Sequence, residues 1–61
     1  MTITVFQRQC KPGMSVYNRA KSEKGTVSRI SKDRDKALVE YENGSREWSE
    51  YYLLEFQSPN S

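Results

Sequence analysis

The stretch EYENGSREW, Glu40 to Trp48, sets Asn-Gly between two short runs of aromatic and charged residues. No other feature limits the fold of this chain so tightly. Asn-Gly in such a setting is the strongest short-range signal for a β-hairpin, because both central residues of a type I′ turn need positive φ. A two-residue loop at Asn43 and Gly44 then sets the register: Glu42 opposite Ser45, Tyr41 opposite Arg46, Glu40 opposite Glu47, Val39 opposite Trp48. On that register Val39 and Trp48 form an apolar pair that belongs in the core, and Tyr41 stacks with Arg46 near the tip. Glu40 facing Glu47 is unfavourable by a few tenths of a kcal/mol to about one. That face is therefore expected to be solvated, or to hold a basic residue such as Arg29 between the carboxylates.

The rest of the chain also reads as short strands, since no window shows sustained apolar spacing at helical period. Ile3-Thr-Val-Phe6 is β-prone but precedes the break at Lys11-Pro-Gly13, so residues 1–11 are expected to be a first strand or an arm. Strand candidates follow at Met14 to Asn18, Gly25 to Ile30 and Ala37 to Tyr41, separated by the polar loops 19–24 and 31–36. After Trp48, Ser-Glu-Tyr-Tyr52 predicts one turn of 3₁₀ helix, and Leu53-Leu-Glu-Phe56 a last short strand. The polar end, residues 57–61, is expected to be a disordered tail, and the opening Met1 suggests a complete small protein.

The serial order Pro-Gly-Met-Ser-Val, Lys-Gly-Thr-Val-Ser-Arg-Ile, Ala-Leu-Val-Glu-Tyr-Glu-Asn-Gly-Ser and Leu-Leu-Glu resembles the SH3-like barrels of the KOW and Tudor type. The resemblance covers residues 12–56 and implies an all-β fold, a small SH3-like barrel of about five short strands with a 3₁₀ turn before the last one. It says less about function, because each matched element is a turn or core device that any barrel of this shape needs. Met14 stands where a KOW motif carries an acidic residue. Short SH3-like barrels of bacteria and phages serve as protein-docking modules and as nucleic-acid binders alike, and the resemblance implies either.

Composition removes most chemistry. A chain of 61 residues closes one core, and a domain of this size buries only about 60% of its unfolded surface. One cysteine, Cys10, and no histidine leave no intramolecular disulfide and almost no zinc arrangement. A lone cysteine, the lack of a signal-peptide core and the lack of a membrane-length apolar run lead to a cytoplasmic expectation, with no membrane partner. Without histidine, a general base near neutrality would have to be a perturbed carboxylate or lysine. No catalytic constellation is present, so neither enzyme activity, a cofactor, a metal nor a small-molecule substrate is expected.

Charge is uneven along the chain. Residues 1–36 carry nine basic side chains against three acidic ones, a balance of +6, while residues 37–61 carry Arg46 against five glutamates, a balance of −4. Two surfaces follow as candidates. The first is expected to dock a protein, as the face of a regulatory or accessory protein, through Tyr41, Arg46, Tyr51 and Tyr52; consecutive tyrosines cannot both point inward, so one of the last pair is exposed. The alternative binds nucleic acid, with Arg19, Lys21, Lys24 and Arg29 on phosphates and Tyr17 or Tyr52 stacking on a base. Nearly balanced charge, with a pI of about 8.9, favours the protein partner.

Overall fold

The hairpin forms where the sequence places it, but with a loop one residue longer. In the computed structural model, which describes residues 1–57, the Tyr41 amide donates to the Ser45 carbonyl (2.8 Å) and the Gly44 amide to the Tyr41 carbonyl (2.9 Å). Residues 42–44 therefore make a three-residue loop in which Gly44 alone takes the left-handed conformation, at φ +86°. Asn43 contributes its side chain instead, its Oδ1 accepting from the Ser45 amide (3.0 Å) and hydroxyl (2.7 Å). The register moves by one: Glu40 faces Arg46, Val39 faces Glu47, Leu38 faces Trp48 and Ala37 faces Ser49. Because side chains alternate between faces, that single step turns Trp48 out of the core, where it is 52% exposed. The expected clash of Glu40 with Glu47 disappears, and Glu40 instead accepts from Arg46 Nε at 3.0 Å.

The strands are β1 (Ser15–Asn18), β2 (Glu23–Ile30), β3 (Lys36–Tyr41), β4 (Arg46–Glu50) and β5 (Leu54–Phe56), with a 3₁₀ turn at Tyr51–Leu53 before the last. They form one antiparallel sheet in the order β4-β3-β2-β1-β5. Five antiparallel strands and the 3₁₀ turn agree with the sequence expectation; a closed barrel does not. Among the described residues no ladder joins β4 to β5, so the sheet stays open between its two edges. The Gln57 amide extends the β1–β5 pairing by donating to the Ser15 carbonyl (3.1 Å), which ties down the first residue of the expected tail. The remainder of that tail lies outside the described residues.

The N-terminal segment is a helix, α1 (Ile3–Gln9), rather than a strand or arm. Thr2 caps it, its Oγ1 accepting from the Val5 amide at 3.3 Å, and Phe6 and Cys10 fall four residues apart on the buried side. A helix of seven residues is marginal alone, and β-branched Ile3, Thr4 and Val5 disguise it as a strand. Tertiary packing decides: fully buried Phe6 lies 6.0 Å from the Tyr51 ring, centroid to centroid. The helix ends before Pro12, whose ring disfavours helical backbone at Lys11.

Inside the curved sheet, Phe6, Cys10, Val16, Val27, Ala37, Val39, Tyr41 and Leu54 make the core. One polar group crosses it. Asn18 Nδ2 donates to Tyr41 Oη (2.9 Å) and to Ser49 Oγ (3.2 Å), while its Oδ1 accepts from the Ala20 (2.9 Å) and Lys21 (3.2 Å) amides. This residue ties β1, β3 and β4 together and shapes the loop after β1. No buried side-chain polar atom among the described residues lacks a partner.

Candidate docking surface

Alternation along the strands puts Ser15, Tyr17, Lys24, Thr26, Arg29, Lys36, Leu38, Glu40, Arg46, Trp48, Glu50 and Glu55 on the sheet face away from the core. The β-bulge at Ser28 restores Arg29 to this face opposite Leu38, and Leu38 lies opposite Trp48. Arg29, Leu38 and Trp48 thus form one row about 10 Å long across three strands. The next row holds Thr26, Glu40 and Arg46. Trp48 has half-buried Leu38 opposite it, Arg46 and Glu50 two residues away on either side along β4, and the Glu40–Arg46 ion pair in the next row. The face carries four cations, Lys24, Arg29, Lys36 and Arg46, against Glu40, Glu50 and Glu55, which leaves the charge nearly balanced.

The residues singled out from sequence do not converge. Tyr41 is buried, 3% exposed, with its hydroxyl on Asn18 and 3.3 Å from Ser49 Oγ, so it cannot anchor a partner. It is a core residue because Val39 and Tyr41 share the inner side of β3. Arg46 is exposed at the hairpin end of β4, whereas Tyr51 and Tyr52 follow its other end, roughly 16 Å along the strand. The tyrosine pair divides as expected: Tyr51 is half-buried against Phe6, and Tyr52 is 49% exposed, edge-on to Tyr51 at 5.4 Å. Arg46 belongs with Trp48, two residues away on the same face, and not with the tyrosines.

The basic set is dispersed as well. Arg19 donates to the Tyr52 carbonyl (2.6 Å) and lies 4.0 Å from the Glu55 carboxylate. Lys21 pairs with Glu47 and sits over the Tyr41 ring, 4.4 Å from its centroid, closing the end of the core. Lys24 and Arg29 are exposed on the outer face but stand at opposite ends of β2, Lys24 beside half-buried Tyr17. Two of the four cations are held by internal contacts and the other two are far apart, so the compact patch expected from their sequence spacing does not form.

The surface role of Trp48 is the feature sequence reasoning misses. Its signal was present but ambiguous, since Asn-Gly serves both a two-residue turn and a three-residue loop closed by a left-handed glycine. Small Ser49, which fits beside Ala37 in the core, favours the longer loop.

Other reactive groups are subdued. Burial pushes the Cys10 thiol up from its ordinary value, away from the thiolate that would react. The Asp35 carboxyl is held below the usual range by the Ser31 hydroxyl, which donates to it at 3.0 Å, with Lys36 adding its charge. Both Ser31 contacts to the Asp35 (3.2 Å) and Lys36 (3.1 Å) amides mark this as turn architecture. The described residues contain no group of three or more potential metal ligands, and none of their helices is long and apolar enough to cross a membrane. Comparison with protein-family models and with curated proteins finds no match to this chain.

Proposed function

We propose that this chain is a non-catalytic binding module of SH3-like topology that docks a protein partner on the outer face of its sheet, with Trp48 as the central anchor. The strand order supports the topology, being that of an SH3-like meander whose fifth strand returns to the first after a 3₁₀ turn. One observation carries the function: a half-exposed tryptophan on an edge strand of an open sheet face, opposite Leu38 and two residues from Arg46, with Arg29 beyond the leucine in the same row. Tryptophan and arginine dominate binding hot spots, and a balanced rim of charges suits a protein surface better than a run of phosphates. The alternative, a KOW-like nucleic-acid module using Arg19, Lys21, Lys24 and Arg29, lacks the clustering that phosphate binding requires.

A photo-crosslinking residue placed at Thr26, on the same sheet face as the anchor, should capture one predominant protein in the producing cell, and one at Gln9 should not. With that partner purified, Trp48→Ala should weaken binding by about 30-fold or more, the effect of a hot-spot residue worth about 2 kcal/mol. Native emission of the indole should be that of a solvated ring. An unchanged affinity after Trp48→Ala, or crosslinks at Thr26 to nucleic acid alone, would overturn the assignment.

A further inference from the structure

Six cations, Arg8, Lys11, Lys24, Arg29, Lys32 and Arg34, make no ion pair among the described residues, and three of them meet. Arg8, Lys11 and Arg34 line a single groove of about 290 Å³ between the end of α1 and the loop joining β2 to β3. Phe6, Cys10 and Ile30 lie beneath them, and no carboxylate lines the groove. The topology explains the meeting. Hydrogen bonds from the Gly13 amide to the Val27 carbonyl (2.7 Å) and from the Val27 amide to the Met14 carbonyl (2.8 Å) hold the segment after α1 alongside the second half of β2. Arg29, Lys32 and Lys36 fall at the same end of the strands with Asp33, Asp35 and Glu50, whereas Glu23, Glu40, Glu42 and Glu47 fall at the other with Lys21, Lys24 and Arg46. With Arg8, Lys11 and Arg34, this end carries six cations against three carboxylates, so the groove lies at the more positive end of the strands.

Arg34 adds a second observation. Its backbone is left-handed, at φ +57°, a conformation that glycine or asparagine would hold with less strain. An arginine kept at that turn position faces the groove with a planar fork of donors. The carbonyl end of α1 opposes the field, but with about half a charge against three whole ones. An apolar floor strengthens what the cations do, since field lines concentrate over low-dielectric walls.

We infer that the groove formed by Arg8, Lys11 and Arg34 binds a phosphoryl group. The site is separate from the Trp48 face and does not rest on the docking assignment. Its size suits one phosphate or diphosphate rather than a large ligand. Such a group can come from a small phosphate ester or from the backbone of a single-stranded nucleic acid, and the guanidinium forks would take the phosphate oxygens of either in the same way.

Titration of the ¹⁵N-labelled chain at low salt with pyrophosphate, a nucleoside monophosphate and a ten-nucleotide oligothymidylate tests this, read by amide shifts. Saturable shifts centred on residues 7–11 and 30–35 are expected from at least one probe. Arg8→Gln, Lys11→Gln and Arg34→Gln should each weaken binding about five- to tenfold, whereas Lys24→Gln and Trp48→Ala should leave it unchanged. Arg34→Gly should weaken it as well, yet raise the urea midpoint by relieving the left-handed strain. Binding of the small probes alone assigns a phosphate ester; tighter binding of the oligonucleotide, falling with salt, assigns a nucleic-acid backbone. The absence of localised saturable shifts with all three probes overturns the inference, as does equal weakening by Lys24→Gln.

Discussion

Gly25→Ala should be the most damaging single-methyl addition in this protein. Gly25 lies in the middle of the sheet between Val16 of β1 and Tyr41 of β3, on the core side. A Cβ there would stand 2.4 Å from Val39 Cγ1, 2.9 Å from the Glu40 carbonyl oxygen and 3.0 Å from Tyr41 Cδ1. None of these neighbours yields cheaply: Val39 is fully buried and stiff at χ1, the carbonyl belongs to the backbone of β3, and the Tyr41 ring is pinned through its hydroxyl. Overpacking of a tight core costs about 1–3 kcal/mol, and the upper end applies when backbone must move. The smaller entropy of an unfolded alanine chain returns only about 0.4–1 kcal/mol. Gly44→Ala is the matched control, since its Cβ meets nothing within 4 Å and only the left-handed backbone resists, at about 1–2 kcal/mol. A domain of 61 residues has roughly 3–9 kcal/mol in total, so Gly25→Ala, at a net cost of about 2–2.6 kcal/mol, should remove roughly a quarter of it or more. Urea unfolding followed by circular dichroism measures both variants; with a slope near 1 kcal/mol/M, the Gly25→Ala midpoint should fall by about 2–3 M. A midpoint no lower than that of Gly44→Ala would refute the close crossing of β2 over β3.

Asn18→Ala should cost about 2–4 kcal/mol in the same assay, because it strips the Tyr41 and Ser49 hydroxyls of a buried donor and the Ala20 and Lys21 amides of their acceptor; a loss below about 1 kcal/mol would show that water replaces the side chain. Asp35 has a folded pKa below its unfolded value of about 3.9, so its contribution is complete above that pH and is lost as pH falls through the lower folded value. Asp35→Asn should accordingly flatten the acid limb of the stability profile below about pH 4, and an acid limb identical to that of the parent would exclude the Ser31 contact as its cause.

Local chemistry wrote much of this protein into its sequence. Asn43-Gly44 fixed the position of the reversal, Pro12-Gly13 ended the first segment, alternation in β3 marked Ala37, Val39 and Tyr41 as one face, and the consecutive tyrosines at 51 and 52 had to divide between inside and outside. These features depend on backbone preferences and a period of two, which neighbouring residues determine together. The absence of histidine likewise narrows the acid–base chemistry open to the chain near neutral pH.

Long-range contacts decided the rest. Whether Gly44 closes a two- or three-residue loop is a small local difference, yet it moves Trp48 between core and surface; the choice falls to whether Trp48 opposite Val39 or Ser49 opposite Ala37 fits the interior. Ile3 to Gln9 becomes a helix because Phe6 finds Tyr51, a partner 45 positions away, and no local propensity announces that. The cations at 19 and 21 are neighbours in sequence but are drawn to Glu55 and Glu47, while Arg8, Lys11 and Arg34, distant in sequence, gather in one groove. Backbone preference acts over a few residues, and so it sets where a chain turns; packing and charge act through space, and so only the folded chain determines which side chains meet.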